Sequence, residues 1–316
     1  MNGVGISVII CSKSLEFCDQ LIKNIGGKIG TQFEVIVFDN RETRWGICKV
    51  YNHCAAKAKY SYLCFIHEDI IMPTHNWGKL LVEFAEKTSN CGIIGFAGGT
   101  IAKKNFMDWE LGPNGRYRYY DPSLRKPNKD YTFSDLTYKY NNPENKEFAE
   151  VITLDGFFLF TGKEVWEETP FDEERIKGFH CYDADFSLAV AQRRQNYVCL
   201  VADIYHFSGG NHDKTYFENT MIFQKKWKNK LPQIIGNQKI SIVEELSNGV
   251  SLFKNLKKNK FQTKDCISHF IEINGIRAVV IGFIFYLICK KIIRLLYRII
   301  IPKNIRKIIW NKRHEL

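Results

Sequence analysis

Residues 60–69 read Tyr-Ser-Tyr-Leu-Cys-Phe-Ile-His-Glu-Asp. The apolar run from Tyr62 to Ile66 combines aromatic and β-branched residues, which is typical of a strand buried on both faces. His67, Glu68 and Asp69 end that run abruptly. In open α/β sheets, ligands bind beyond the carboxyl ends of the strands, and carboxylate oxygens there suit Mg²⁺ or Mn²⁺. The triplet therefore predicts either a cation site facing a pyrophosphate or a solvated strand end.

Two more apolar runs precede this strand, at residues 5–11 and 33–38, and helical periodicity separates each run from the next. Such alternation of strands and helices predicts a parallel sheet with right-handed crossovers. The run at 33–38 ends in Asp39, so two strands would direct Asp39 and Asp69 into one crevice. A helix at about 77–87 and a strand at 91–96 continue the pattern. We therefore expect an α/β fold, with a mixed, mostly parallel sheet flanked by helices.

The middle of the chain is less regular. Residues 103–147 are polar and rich in turn-forming and aromatic residues, among them Trp109, and they show no clear period. A segment of this length without predicted structure is usually functional. Its rings could stack on sugars, and an irregular excursion folded over the core is the alternative. We expect an acceptor or lid region here.

Acidic residues and a histidine follow at notable positions. Asp155 and Gly156 interrupt an apolar stretch at 150–160, where a β-bulge is the simplest explanation. Asp183, followed by Asp185, begins a predicted helix, where helix capping is the simplest role. A strand at 197–204 leads to His206, which is either a metal ligand or a buried, hydrogen-bonded histidine.

The charge is distributed unevenly along the chain. Residues 251–316 contain 15 Lys or Arg and 3 Asp or Glu, whereas residues 1–250 contain 30 Lys or Arg and 31 Asp or Glu. The nearly neutral body argues against nucleic-acid binding, which predicts a basic patch on the folded domain. The ten cysteines show no paired spacing, and no basic segment precedes the first apolar run. We therefore expect a cytosolic amino-terminal domain without disulfides or a signal peptide.

The carboxyl-terminal part, residues 236–316, is predicted to be a separate basic region. Its apolar run at 278–289 is twelve residues long, shorter than the ~20 that span a bilayer. Lys290, Arg294 and Arg298 recur four apart, on one helical stripe, and apolar residues cover the other faces. This pattern is typical of an amphipathic helix on an anionic membrane surface. A core-packing helix with a solvated basic face is the alternative.

In this order, the features resemble family 2 glycosyltransferases with the GT-A fold. The shared features are the strands S-V-I-I and V-I-V-F-D-N, a hydrophobic strand ending in a D-x-D-like triplet, a D-G pair, and a helix that begins like E-D-x-D. The resemblance covers residues 5 to about 230. It is greatest to a bacterial subgroup with H-x-D in place of D-x-D and a last strand ending in H-x-S-G-G. It implies a catalytic domain over residues 1–235, a nucleotide-diphosphate sugar as donor (a UDP-sugar first), and Mn²⁺ or Mg²⁺ as cofactor.

The resemblance also implies roles for individual residues. It assigns metal binding to Asp69 and His206 and the general base to Asp183. The residues implied near the nucleotide are Asp39, Lys49, Asn52, Glu68 and Asp69, and those near the sugar or acceptor are Trp109, Asp155, Gly156 and Asp185. The sequence departs from the family pattern twice: His67 replaces the first aspartate of D-x-D, and Tyr182 replaces the glutamate of E-D.

The leading hypothesis is an inverting, metal-dependent glycosyltransferase that is peripheral to the cytoplasmic face of the cell membrane and extends a lipid-linked or surface-polysaccharide acceptor. The metal would neutralise the leaving pyrophosphate, and the base would take the proton of the acceptor hydroxyl. Because of His67 and Tyr182, a degenerate domain that only binds a glycan or nucleotide at the membrane is one alternative. A nucleotidyltransferase is another, although residues 11–16 lack a glycine-rich loop for a triphosphate.

Overall fold

The computed structural model describes residues 3–15, 17–107, 114–121, 136–207 and 212–276. The chain divides into two units, Met1–Ser241 and Ile242–Leu316. The strands of the first unit are β1 (Gly3–Ser12), β2 (Phe33–Asp39), β3 (Tyr60–Ile66), β4 (Ile70–Ile71), β5 (Cys91–Gly95), β6 (Ala97–Gly99), β7 (Ile101–Ala102), β8 (Gly115–Asp121), β9 (Thr137–Asn141), β10 (Phe148–Val151), β11 (Thr153–Leu154), β12 (Phe158–Gly162), β13 (Gln195–Cys199), β14 (Tyr205–His206) and β15 (Gln233–Ile234). Its helices are α1 (Cys18–Lys28), α2 (Ile47–Lys57), α3 (Trp77–Lys87), α4 (Lys163–Glu168), α5 (Tyr182–Val190) and α6 (Lys214–Trp227).

Seven strands form the main sheet, in the order β10-β13-β5-β12-β3-β1-β2. β1 pairs in parallel with both β2 and β3, and β13 pairs in parallel with β5. β12 and β10 run antiparallel to their neighbours. Five of the seven strands therefore point the same way, which confirms the predicted mixed, mostly parallel sheet.

Both faces of this sheet are buried. Side chains alternate along each strand with a period of two, so Ile10 and Ile66 lie in the apolar cluster on one face, while Ile9 and Phe65 lie in the cluster on the other. Helices α1 and α3 contribute to the first cluster, and α2 and α5 contribute to the second. The buried strand predicted at 62–66 is therefore confirmed.

The carboxyl ends of β1, β2 and β3 meet at one edge of the sheet. In the parallel register, Ser12 lies opposite Asp39, and Ile10 lies opposite Ile66. Because His67 follows Ile66 directly, the polar triplet leaves the sheet at the edge that carries Asp39. This edge is where the sequence predicts the crevice.

A second sheet has the order β11-β6-β8-β14-β4, and β9 also pairs with β8. β8 and β9 fall within residues 103–147 and form an antiparallel pair that runs from Tyr117 opposite Asn141 to Asp121 opposite Thr137. The described part of this region therefore contains a strand pair, where the sequence predicts irregular chain. The side chains of β9 are exposed or half-buried, so β9 has no apolar face to produce a detectable period.

The strand predicted at 150–160 is in fact divided between the two sheets. β11 ends at Leu154 in the second sheet and β12 begins at Phe158 in the main sheet. Asp155 and Gly156 therefore lie in a crossing between sheets, and the β-bulge interpretation is wrong. The strand predicted at 197–204 is shorter in the structure, because β13 ends at Cys199 in the main sheet and the next strand, β14, begins only at Tyr205 in the second sheet.

In the second unit, α7 (Ile242–Lys258) is followed by α8 over residues 263–276. The apolar run at 278–289 and the basic stripe at 290–298 lie outside the described residues. Within the described ranges, no helix has both the length and the apolar character needed to cross a membrane. The nine cysteines in these ranges are free thiols.

Candidate active site

Three side chains that can bind a metal converge where β3, β4 and β14 meet. His67 and Asp69 lie between β3 and β4, and His206 ends β14. β14 pairs antiparallel with β4, and the Phe207 amide donates a hydrogen bond to the Asp69 carbonyl at 2.9 Å. The His67 amide donates to the Phe157 carbonyl at 3.1 Å. Backbone hydrogen bonds therefore hold together three side chains from distant parts of the sequence.

The ligand atoms of His67, Asp69 and His206 lie within 4.8 Å of one another. Asp69 Oδ1 is 3.8 Å from His67 Nδ1 and 3.8 Å from His206 Nε2, which is too long for a hydrogen bond but suits groups that share one cation. Burial lowers the pKa of His67 to about 4, although Asp69 opposes this effect, and burial also lowers the pKa of His206. Both rings are therefore neutral at pH 7, the form in which imidazole binds metals.

This donor set fits a divalent metal ion. The carboxylate suits Mg²⁺ or Mn²⁺, and imidazole nitrogen suits transition metals, so the combination favours an ion such as Mn²⁺ over Mg²⁺. The Phe157 ring stacks on the ring of His206, with 4.7 Å between centroids. This contact restrains the ring of His206, the one candidate ligand that comes from outside the His67–Asp69 triplet.

Tyr182 and Asp183, at the start of α5, hold both backbone polar groups of Gly156. Asp183 Oδ2 accepts a hydrogen bond from the Gly156 amide at 2.9 Å, and the Tyr182 hydroxyl donates to the Gly156 carbonyl at 2.9 Å. The same hydroxyl lies 2.8 Å from Nε2 of His67. A chain of hydrogen bonds therefore joins the candidate metal site to Asp183, the base predicted from the sequence.

Position 156 requires glycine because neighbouring atoms approach it closely. A Cβ there would overlap the Tyr182 hydroxyl and would lie 3.0 Å from the Asp183 Cβ. Asp155 belongs to the same turn, since its amide donates to the Ala97 carbonyl at 2.9 Å and its carboxylate accepts from the Phe157 amide at 3.2 Å. The structure thus places Asp155, Gly156 and Asp183 together.

Asp39 and Lys49 flank an aromatic surface at the end of β2. Hydrogen bonds from Arg41 lower the pKa of the exposed Asp39 to about 2. The Trp45 ring stacks on Phe38, with 5.3 Å between centroids, and Lys49 Nζ lies 4.1 Å from the Trp45 ring centroid. Trp45 was not predicted from the sequence to belong to the site. Its only signal was a large aromatic side chain just before a helix that begins at the carboxyl edge of the sheet.

Two predicted nucleotide ligands make structural hydrogen bonds. Glu68 accepts from the Ser12 hydroxyl at 2.5 Å and from the Lys13 amide at 3.1 Å, which ties the end of β1 to the turn before β4. The Asn52 side chain donates to the Phe171 carbonyl at 2.9 Å and accepts from the Phe171 amide at 3.1 Å. Asn52 therefore joins α2 to the chain before α5, and the nucleotide contact implied for it stays a prediction.

Asp185 is buried and is only 2% exposed. Its carboxylate accepts hydrogen bonds from Lys226 Nζ and Trp227 Nε1, each at 2.8 Å. Burial raises the pKa of this carboxyl, although Lys226 acts in the opposite direction. Asp185 therefore joins α5 to α6, a placement that does not fit the acceptor contact predicted for it. Trp109, the other predicted acceptor residue, lies outside the described residues.

Two members of the site were noted in the sequence only as departures from the family pattern. His67 contributes a third possible metal ligand, and Tyr182 contacts it. Both residues stand where the family pattern has an acid, and both side chains can form hydrogen bonds. This shared property is the only sign in the sequence that His67 and Tyr182 could contact each other.

The model of the Glycosyltransferase like family matches residues 6–227, well over half of the chain. The chain therefore belongs to this family, and it is a glycosyltransferase. A comparison with curated proteins finds no match.

Among solved structures, residues 1–349 of TarS from S. aureus superpose with a TM-score of 0.51 at 13% identity, covering 87% of this chain and 82% of that chain. A second match is the mannosyltransferase PcManGT from Pyrobaculum calidifontis in complex with GDP-Man and Mn²⁺. It has a TM-score of 0.46 at 9% identity, and the superposition covers 90% of this chain and 79% of that chain. GalNAc-T7 with UDP, GalNAc and Mn²⁺ has a TM-score of 0.46 at 12% identity and covers 85% of this chain. The chain spans 56% of the GalNAc-T7 chain. The likeness to TarS shows a shared fold.

Proposed function

We propose that this glycosyltransferase moves a sugar from a nucleotide-diphosphate sugar to a hydroxyl group, by an inverting reaction that depends on a divalent cation. The observation that carries the proposal is the convergence of His67, Asp69 and His206, with ligand atoms within 4.8 Å of one another. A divalent cation held there supplies positive charge to the leaving pyrophosphate. An imidazole-rich donor set makes Mn²⁺ the first candidate.

Asp183 supports the second requirement, a base for the acceptor hydroxyl. Its Oδ2 accepts from the Gly156 amide at 2.9 Å, and its Oδ1 accepts from the Ala184 amide at 2.8 Å. These bonds fix the carboxylate in one orientation, as general-base catalysis needs. A single displacement with one such base inverts the anomeric centre. Asp155, in the adjoining turn, is our candidate for a contact to the sugar or acceptor.

The donor nucleotide, for which a UDP-sugar is the first candidate, is assigned to the edge formed by β2 and β3. Asp39 offers a carboxylate for the ribose or base, and Lys49 offers a positive charge. The Trp45 ring, half-buried between them, offers an apolar face on which a base can stack.

For the acceptor, we propose a lipid-linked or surface-polysaccharide glycan at the cytoplasmic face of the cell membrane. The support is the excess of Lys and Arg in residues 251–316, 15 against 3 acidic residues. A basic region of this kind is attracted to anionic lipid, and it would keep a peripheral enzyme close to its acceptor.

Calorimetric titration with UDP, GDP, CMP and ATP, each with and without Mn²⁺, tests the donor site. We expect one nucleoside diphosphate to bind only when Mn²⁺ is present. Equal binding without metal would contradict the cation site, and binding of a nucleotide without turnover of any matching donor sugar would favour the degenerate, non-catalytic alternative.

Vesicle sedimentation tests the membrane proposal. The full chain should pellet with vesicles that contain phosphatidylserine and remain in solution with purely zwitterionic vesicles. Replacement of Lys290, Arg294 and Arg298 by Gln should reduce pelleting, whereas replacement of Lys79 and Lys214, exposed lysines of the first unit, should not. Unchanged pelleting of the triple variant would contradict a role for the basic stripe.

A further inference from the structure

The Tyr182 hydroxyl contacts both the Gly156 carbonyl and His67, but it has only one proton to donate. It lies 2.9 Å from the Gly156 carbonyl oxygen and 2.8 Å from Nε2 of His67. A carbonyl oxygen can only accept, whereas a ring nitrogen of neutral histidine can donate or accept. Both contacts are satisfied in one arrangement alone: Tyr182 donates to Gly156, and His67 Nε2–H donates to Tyr182.

This arrangement determines which nitrogen of His67 carries the lone pair. A neutral imidazole has one N–H, so a proton on Nε2 leaves Nδ1 as the metal-binding atom. Nδ1 is the atom that faces the Asp69 carboxylate, at 3.8 Å. A cation placed between this lone pair and the carboxylate would be attracted by both groups.

The surroundings of Tyr182 keep its hydroxyl in place. The side chain is buried, at 4% exposure, and its ring packs against Tyr51 at 5.8 Å and Phe171 at 6.3 Å between centroids. Its acceptor is also fixed, because the Gly156 amide is bonded to Asp183. The hydroxyl therefore cannot turn towards His67 without leaving the Gly156 carbonyl with no donor.

We propose that Tyr182 is a positioning residue for the metal site, which holds the proton of His67 on Nε2 so that Nδ1 can bind the divalent cation. The inference deepens the proposed function and rests on it. It also gives a reason for both departures from the family pattern: a histidine in the triplet needs a partner for its second nitrogen, and tyrosine supplies one. Such partners of metal-bound histidines set the ring's tautomer and orientation.

The tautomer can be observed directly in the unmodified protein. Nitrogen NMR of the metal-free full chain, labelled at histidine, reports which ring nitrogen is protonated, and the signal of His67 is the one lost in His67→Ala. We expect the proton on Nε2. A proton on Nδ1 would overturn the proposal, and this measurement needs no variant of Tyr182.

Mn²⁺ affinity, measured by electron paramagnetic resonance without nucleotide, tests the consequence. Tyr182→Phe should weaken Mn²⁺ binding by about 10- to 100-fold. In a His67→Ala background the same change should cause no further loss, because Tyr182 acts only through His67. An unchanged affinity, or an equal loss in both backgrounds, would overturn the proposal.

Tyr62→Phe is the matched control. Tyr62 is a tyrosine of β3, the strand that leads to His67, and its ring stacks on Phe160 with 5.2 Å between centroids. Removal of its hydroxyl should leave Mn²⁺ affinity within about twofold of the wild type. The two possible failures are distinguishable: absence of Mn²⁺ binding in the wild-type protein contradicts the proposed function, whereas wild-type binding with a normal Tyr182→Phe variant contradicts the positioning role alone.

Discussion

The carboxylate of Asp183 accepts a hydrogen bond from the backbone amide of Gly156 at 2.9 Å. The carbonyl of the same glycine accepts from Tyr182, whose hydroxyl also contacts His67. One glycine therefore connects the candidate base with the candidate metal site. A shift in this turn would disturb both groups together.

Asp183→Asn should reduce turnover by about 10²- to 10⁴-fold, the usual contribution of a general base. The single amide oxygen can still accept from one of the two backbone amides, Gly156 or Ala184. The fold should therefore be kept with a loss of about 1 kcal/mol, and the nucleotide affinity should be nearly unchanged. Steady-state rates and calorimetric nucleotide binding check the two expectations. Asp19→Asn, an exposed position on α1, is the control. Near-normal turnover of Asp183→Asn would show that another group is the base.

Asp69→Ala should weaken Mn²⁺-dependent nucleotide binding by at least about 100-fold, because it removes the only carboxylate among the three candidate ligands. Treatment of the wild-type protein with a chelator should have the same effect, and added Mn²⁺ should restore binding to the wild type alone. Calorimetry measures both. Full nucleotide affinity after chelation would contradict a cation at this edge of the sheet.

Gly156→Ala should impair metal binding and stability together. The added methyl group would overlap the Tyr182 hydroxyl, and overpacking of this kind costs about 1–3 kcal/mol. Gly27→Ala, in α1, is the control, since a Cβ there meets no atom within 4 Å and alanine in a helix gains about 0.5–1 kcal/mol. Urea denaturation and Mn²⁺ titration compare the two variants. Equal stability of both would show that the turn can move aside.

Asp185→Ala should destabilise the fold and spare the chemistry of the folded fraction. Breaking a buried ion pair costs about 3–5 kcal/mol, and the loss should lie near the lower end because Lys226 keeps Asp172 as a partner at 2.7 Å. The control is Asp203→Ala, which breaks the half-exposed bridge to Arg118 and should cost about 1 kcal/mol or less. A normal stability with a raised acceptor KM would restore the acceptor role predicted for Asp185.

Asp213 caps α6, and its contribution should depend on pH. Its carboxylate accepts from the Thr215 hydroxyl and the Tyr216 amide, and these bonds hold its pKa below the usual value. The stabilisation is therefore complete above the unfolded-state pKa of about 3.9 and is lost as the pH falls below it. Asp213→Ala should lower the free energy of unfolding by about 1 kcal/mol at pH 7 and by less at pH 3. Asp213→Asn, which still caps, should change little at pH 7.

The main sheet could be predicted because its first three strands are continuous apolar runs with helices between them. β9 could not, because its side chains contact solvent and neighbouring rings, as Tyr138 and Tyr140 do. No apolar period marks such a strand. The division of residues 150–160 between two sheets also has no local signal, since both parts are apolar and the change occurs only in their pairing.

In the candidate site, too, some side-chain contacts could not be predicted from the local sequence. Asp183 and Asp185 are alike in sequence, but positions two apart on a helix do not share a face. One therefore meets Gly156 and the other meets Lys226. Residue type and spacing identified Asp69 and His206 as neighbours of strand ends, whereas the contact between His67 and Tyr182 depends on packing across 115 residues.

β14 is only two residues long, but it has a consequence for the order of folding. It lies between β8 and β4 in the second sheet, it carries His206, and all seven strands of the main sheet precede it in the chain. During synthesis, the strands of the main sheet leave the ribosome first, and the crevice must wait for this late, non-local pairing, the kind of contact that slows folding. A chain that ends before residue 205 would keep the strands of the main sheet and have no complete site.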